Sequence, residues 1–274
     1  MKLSKGVLVG CLSILLVLLC PASALAASDP GLGSAAAFGV LGGSTVTNTG
    51  PTSVGGLLGV SPGTAITGFP PGSSGVRHVN PDAVAVQAKA DLDKAYANAA
   101  GAVATTNLTG KNLGGQTLAP GVYKFNTSAQ LTGALTLSGV GVYIFQTGST
   151  LTTESGSTVA LANGAQACAV FWQVGSSATV GTGTAMVGTI MAMASITMTT
   201  GASLQGRALA RNGAVTLDSN RISQPGCAAP APPPAPVAPV KPASPLTGAW
   251  PWLLALVAAI VLGVVLWRRR NTKR

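Results

Sequence analysis

The most regular chemistry in this chain is carried by five threonines, each set between apolar or small neighbours. They occur in Leu135-Thr136-Leu137, Ser157-Thr158-Val159, Ala178-Thr179-Val180, Ile196-Thr197-Met198 and Val215-Thr216-Leu217. The interval from one central threonine to the next is nearly constant. Threonine presents a hydroxyl and a methyl on a side chain that is stiff at χ1, so it loses little entropy when a surface is engaged. A regular array of such groups suits a surface that binds something equally regular. Groups for catalysis are sparse by comparison. Between the two terminal segments the carboxylates are Asp29, Asp82, Asp91, Asp93, Glu154 and Asp218, and His78 is the only histidine. Three of the six carboxylates fall in one expected helix. Neither a metal cluster nor an acid–base pair is visible, so no enzymatic activity, metal or cofactor is expected.

The elements that must position the threonines follow from the same spacing. A fixed period of roughly 20 residues is the mark of stacked coils in a solenoid. Within a strand, alternate side chains point to opposite faces, so the apolar flanks face inward and each Thr outward. Stacked coils then place Thr136, Thr158, Thr179, Thr197 and Thr216 in one ladder, with rungs roughly 4.8 Å apart. Val122-Tyr123-Lys124-Phe125 and Val142-Tyr143-Ile144-Phe145 read as two copies of a second, aromatic strand, and Phe171-Trp172-Gln173-Val174 as a third variant. The expected fold is mainly β, a right-handed-type triangular β-solenoid of six or seven coils. A β-sandwich leaves the persistent period unexplained. One segment departs from the pattern. Asn80, Pro81 and Asp82 before an alanine-rich stretch, with Gly101 after it, predict a helix at about 81–100 capped by Asn80. Val84, Ala88, Ala95, Tyr96 and Ala99 would line its buried side.

Charge and termini set the compartment. Lys2 and Lys5 precede the apolar run 7–19, and Ala24-Leu25-Ala26 offers a small-x-small cleavage site, so 1–26 reads as a signal peptide. Cys20 lies where a lipidated cysteine could stand, but Leu19 before it is too large for that signal. Residues 27–226 form the solenoid and 227–249 a Pro/Ala-rich linker in extended form. Residues 250–267 carry no charge and are bracketed by Trp250 and Trp267, predicting a transmembrane helix, with 268–274 as a basic cytoplasmic tail. Scrambled elements of a sortase signal stand at Ser244-Pro245-Leu246-Thr247-Gly248. The formal net charge of +10 largely dissolves once the ends are set aside, because seven of the 16 Lys and Arg lie there. The rest are scattered singly, without the basic patch that nucleic-acid binding needs. In an exported domain, Cys168 and Cys227 suggest one disulfide, with two buried thiols as the alternative.

Several long segments together resemble the microbial ice-binding protein family, whose solenoid is discontinuous and carries a flanking helix. They are Phe38 to Thr49, Leu58 to Gly72, Leu118 to Tyr123, Val170 to Thr179 and Gly206 to Asp218, spanning about 32–222. The resemblance implies that the N-terminal coil, the helix and the remaining coils follow in that order, with the first coil returning to sit among the late ones. It also implies a monomeric ice-binding or antifreeze-like protein that meets the ice surface through one flat solenoid face. Here that face would be the Thr ladder, with Thr64 and Thr67 of Thr64-Ala65-Ile66-Thr67 as second choice. With the terminal segments, the expectation is an exported protein on the outer face of the cell, anchored by its C-terminal helix. A non-catalytic surface adhesin or polysaccharide-binding wall module is the alternative.

Overall fold

A computed structural model describes residues 27–227 and 250–271; the expected signal peptide (1–26) and most of the linker (228–249) lie outside them. These form two units, divided near Ala228. In the first, the chain winds through parallel coils whose strands pair in three sets. One set is a seven-stranded sheet with one strand per coil: Ala129–Leu131, Leu151–Thr153, Ala178–Val180, Ile196–Met198, Val215–Asp218, Thr45–Thr49 and Ala65–Thr67, in that spatial order. A second set starts at the short strand Thr106–Asn107, followed by Gly121–Phe125, Tyr143–Thr147 and Val170–Val174. It continues through Ala185–Ala192, Ser203–Ala210, Phe38–Gly42, Leu57–Val60 and Arg77–Val79. The third includes Ala134–Ser138, Thr158–Ala162, Arg221–Ser223 and Ser53–Val54.

The two long strands, Ala185–Ala192 and Ser203–Ala210, turn the corner between the second and third sets. Gly188 and Gly206 face each other there. Gly188 holds φ +101°, and a Cβ on Gly206 would lie 1.8 Å from the Gly188 carbonyl oxygen. Only glycine allows adjacent coils to pass this corner at strand spacing.

Chain order and spatial order differ as the resemblance implies. Strand 38–42 pairs with 203–210, and 45–49 with 215–218, so the N-terminal coils stack onto the last coil of the chain. Helix α1 (Ala83–Gly101) then carries the chain back to the other end of the stack. Its start corrects the expectation. Asp82, not Asn80, is the cap, and its carboxylate accepts from the Val84 and Ala85 amides. The buried face also differs by one position: Ala85, Ala88, Leu92, Ala95, Tyr96 and Ala99 are buried, while Val84 is 43% exposed. This face packs on outward-pointing Val122, Ile144, Phe171, Met191, Leu209 and Leu41, which come from six successive coils. At 1.5 Å per residue, 19 residues give a helix of roughly 28 Å, matched to six coils at about 4.8 Å.

Polar ties fix the helix in register. Ser34 donates to Asp91 through both its amide, at 3.0 Å, and its hydroxyl, at 2.7 Å. Asp93 pairs with Lys89 at 2.6 Å and with Arg211 of the solenoid at 2.7 Å, and the Arg211 guanidinium lies 4.6 Å from the Tyr96 ring centre. Gln146 donates to the carbonyls of Ala99 and Ala102, which closes the helix C-terminus.

Inside the coils a column of rings runs along the axis. Tyr123 stacks on Phe145 at 5.3 Å and Phe145 on Trp172 at 4.0 Å. Strand pairing sets Tyr123 directly opposite Phe145. Cys168 and Cys227 form a disulfide.

The second unit is helix α2 (Trp250–Asn271). The helix expected at 250–267 therefore forms, but among the described residues no helix is long and apolar enough to cross a membrane. The uncharged run gives about 27 Å of helix, short of a hydrocarbon core of roughly 30 Å, and three arginines follow it directly. The expectation of a transmembrane helix is corrected accordingly.

Three outcomes follow. Leu92→Ala, at a fully buried contact between helix and solenoid, lowers stability by about 2–4 kcal/mol in denaturant titration. Reducing the disulfide, which spans a sequence separation of 59, costs up to roughly 4 kcal/mol in the chain-entropy model. The third concerns Asp93: burial raises its pKa, but the hydrogen bonds from Lys89 and Arg211 outweigh that and hold it below its ordinary 3.8. A depressed carboxylate stabilises the fold above its unfolded pKa and loses that contribution as pH falls through the folded value. Acid melts should therefore show stability falling below about pH 4, with a shallower fall in Asp93→Asn.

Candidate functional site

The seven-stranded side presents the most regular outward surface. In register across it run Gln130, Thr152, Thr179, Thr197, Thr216, Thr47 and Thr67. The residues two places before these, Ser128, Thr150, Ser177, Ser195, Ala214, Thr45 and Ala65, form a second row of small side chains. Strand alternation sends both rows outward, and the burial follows it: Thr179, Thr216 and Thr67 are exposed, while Ala178, Val180, Val215 and Leu217 beside them are buried. Hydroxyls touch along the rows, with Thr47 and Thr216 at 3.4 Å and Thr150 and Ser128 at 2.8 Å. Neither row contains a charged residue. Glu154 and Asp218 stand on a third, outer row, and Asp218 accepts from the hydroxyls of Thr200 and Ser219.

The fold brings together Thr179, Thr197 and Thr216 as expected, and adds Thr67 from the second-choice pair. It does not bring in Thr136 or Thr158, so the expected five-membered ladder is corrected. Thr136 pairs with Thr117 and Ala160, and Thr158 with Ala134 and Ala185, all on the third side of the solenoid. Thr64 stands just before strand Ala65–Thr67, outside the row. The physical reason is an insertion. The stretch of chain from Thr152 to its partner Thr179 is clearly longer than the stretch from Gln130 to its partner Thr152. Part of the extra length lies in the turn between Thr153 and Thr158, and the larger part bulges between the strand ending at Ala162 and the strand starting at Val170, where the turn Ala167–Ala169 carries Cys168 to the disulfide. Sequence spacing absorbed the bulge by shifting to a strand on another side. Thr152 was missed for that reason, and Thr47 because its coil joins the row out of chain order, although the alternation Thr45-Val46-Thr47-Asn48-Thr49 carries the required period of two.

Rigidity comes from beneath. Val46, Ala178, Ile196 and Val215, together with Val180, Met198 and Leu217, press into the core. The polar corner beside Thr152 is closed by Thr153, whose hydroxyl lies 3.2 Å from that of Thr184 and accepts from the Gly181 amide. Displaced pKa values lie away from the face. Burial raises the Tyr143 hydroxyl to about 12, and Asp82, Asp91 and Asp93 sit low in their helix contacts. Among the described residues no three His, Cys, Asp or Glu side chains gather as metal ligands. Neither row holds a carboxylate, imidazole, thiol or amine. What the face offers is an in-register array of hydroxyls and methyls.

Comparison with known proteins reaches the same region. The Ice-binding-like family model matches residues 40–223. An ice-binding protein of Nostoc sp. (strain HG1) is 54% identical over 205 residues, covering 73% of this chain and 76% of that protein. One from Flavobacterium frigoris (strain PS1) is 34% identical over 210 residues, covering 71% and 76%. Among solved structures, an ice-binding protein from an Antarctic biological consortium superposes with a TM-score of 0.71 at 48% identity, covering 73% of this chain and 93% of that one.

The outward phase has a direct check. Thr179→Ala changes the unfolding free energy by no more than about 0.5 kcal/mol, whereas Val180→Ala, at its buried neighbour, costs roughly 1–3 kcal/mol. Equal costs at the two positions would contradict the phase assigned here.

Proposed function

The chain belongs to the Ice-binding-like family, and on that premise we propose that its solenoid binds ice through the rows led by Thr152, Thr179, Thr197, Thr216, Thr47 and Thr67. The observation carrying this reading is the in-register run of six threonines. At strand spacing it extends about 24 Å. Each methyl–hydroxyl pair contributes little, and the affinity is a sum over a preorganised area. The methyl holds loose water off while the hydroxyl joins an ordered water network, and the stiff χ1 leaves little entropy to lose. Preorganisation is supported by the core under the face and by the backbone pairing that fixes each rung.

The competing reading, a module that binds polysaccharide, requires exposed rings. Every aromatic residue between 27 and 227 is buried: Phe38, Phe69, Tyr96, Tyr123, Phe125, Tyr143, Phe145, Phe171 and Trp172. That weighs for ice and against carbohydrate stacking. The proposal includes export and retention at the cell surface. The leader-like start, the disulfide and the proline-rich segment after Cys227 support this part, without a spanning helix. Fractionation tests it: the protein is expected with the cell envelope, and recovery from the cytoplasm would contradict export.

Thermal hysteresis of variants tests the face. Thr179→Tyr and Thr197→Tyr place a ring above a surface that must be flat, so each should remove most of the hysteresis while melting like the parent. Thr136→Tyr and Thr158→Tyr, on the other side, should leave it intact. Full activity in both Thr179→Tyr and Thr197→Tyr would overturn the assignment.

A further inference from the structure

The Thr row stops one rung short of the sheet. Its terminal position on the strand Ala129–Leu131 is Gln130, in register with Thr152. The neighbouring small-residue row does not stop there, since Ser128 continues it and accepts a hydrogen bond from Thr150 at 2.8 Å. Gln130 is exposed and donates through Nε2 to the Glu154 carboxylate at 3.2 Å. Beyond it the pattern turns away from the face. Asn112 pairs with Gln130 through an isolated bridge, but its side chain folds back to accept from the Gly114 and Thr132 amides.

We propose that the Gln130–Glu154 pair sets the edge of the ice-contact area and limits its length. Gln130 is longer than Thr by more than one bond, so its amide rises above the plane that the threonine methyls define. Glu154 holds that amide in place and brings a carboxylate whose hydration shell is bound too strongly to be ordered by a neutral lattice of hydroxyls. Asp218, on the same outer row, differs in its partners, because its carboxylate accepts from Thr200 and Ser219 and from no member of the Thr row. The backbone beneath Gln130 is already in the geometry of the other rungs, with Ala129 and Leu131 buried on either side. Substituting the side chain therefore extends the contact row without rebuilding the fold.

This inference rests on the ice-binding reading of the face, and the experiment separates the two. Thermal hysteresis is measured at matched concentrations on the whole protein for the parent, Gln130→Thr, Gln130→Thr/Glu154→Thr and Thr179→Tyr. Circular-dichroism melts confirm that each is folded. A seventh threonine added to six should raise hysteresis by roughly 1.2-fold or more if the contacts sum over the row, with the double variant at least equal to the single. Loss of activity in Thr179→Tyr with no gain, or a decrease, in both Gln130 variants overturns the edge assignment while leaving the face intact. Unchanged activity in Thr179→Tyr together with no gain overturns the face and the edge alike. Should Gln130→Thr melt early, Gln130→Ser at the same position gives the same comparison with a smaller side chain.

Discussion

Parallel, in-register pairing between successive coils is the constraint on which the rest of this molecule depends. Each backbone ladder fixes the height of a coil and also the phase of its side chains, because a slip of one residue turns every inward group outward. Over seven coils the pairing carries one register from Gln130 to Thr67 without a break. The same register stacks Tyr123, Phe145 and Trp172 inside. The in-register outer surface and the ordered column of rings are two results of a single arrangement. A face made of short polar side chains has no interlocking of its own, so its order is inherited from the strands beneath it.

A solenoid of this kind leaves one side in difficulty. Strands buried on both faces are apolar on both, and the second side of these coils carries Val122, Ile144, Phe171, Met191 and Leu209 pointing outward. Helix α1 covers them. Its alanines allow close approach, and its length suits the six coils it crosses. The discontinuity of the chain follows from the same need. By forming two coils first and then crossing along the helix, the chain uses its return path as the cover, and the N-terminal strands supply the last two threonine rungs. The covered side is held by ion pairs and hydrogen bonds at Asp91, Asp93 and Gln146, while the open side carries no charge in its two central rows. The molecule is thus polar and tied where it is covered, and neutral and small where it faces out.

Much of this was legible in the residues. The regular period, the alternation around each Thr, the aromatic copies and the helix all survive in the structure, because each rests on a local pattern that the fold does not override. The errors in the Thr ladder share one cause: phase over distance. A bulge leading to Cys168 lengthens one coil, and Thr158, on the third side, falls where the spacing asks for a rung. Thr136 is displaced to that side with it. At the helix start, Asn80 and Asp82 are both good caps. Only the folded geometry shows that the carboxylate of Asp82 reaches the Val84 and Ala85 amides. The C-terminal stretch reads as apolar along its run, and its uncharged residues make a helix, but not one that meets the length of a bilayer core.

The central claim is that this solenoid adsorbs to ice. Partitioning of the unmodified protein between a slowly growing ice hemisphere and the remaining liquid tests it most directly, with an unrelated protein of similar size as the reference. The account predicts that the protein is enriched in the ice fraction while the reference is excluded. Equal exclusion of both proteins from the ice, with the solenoid shown to be folded and its disulfide intact, would contradict it.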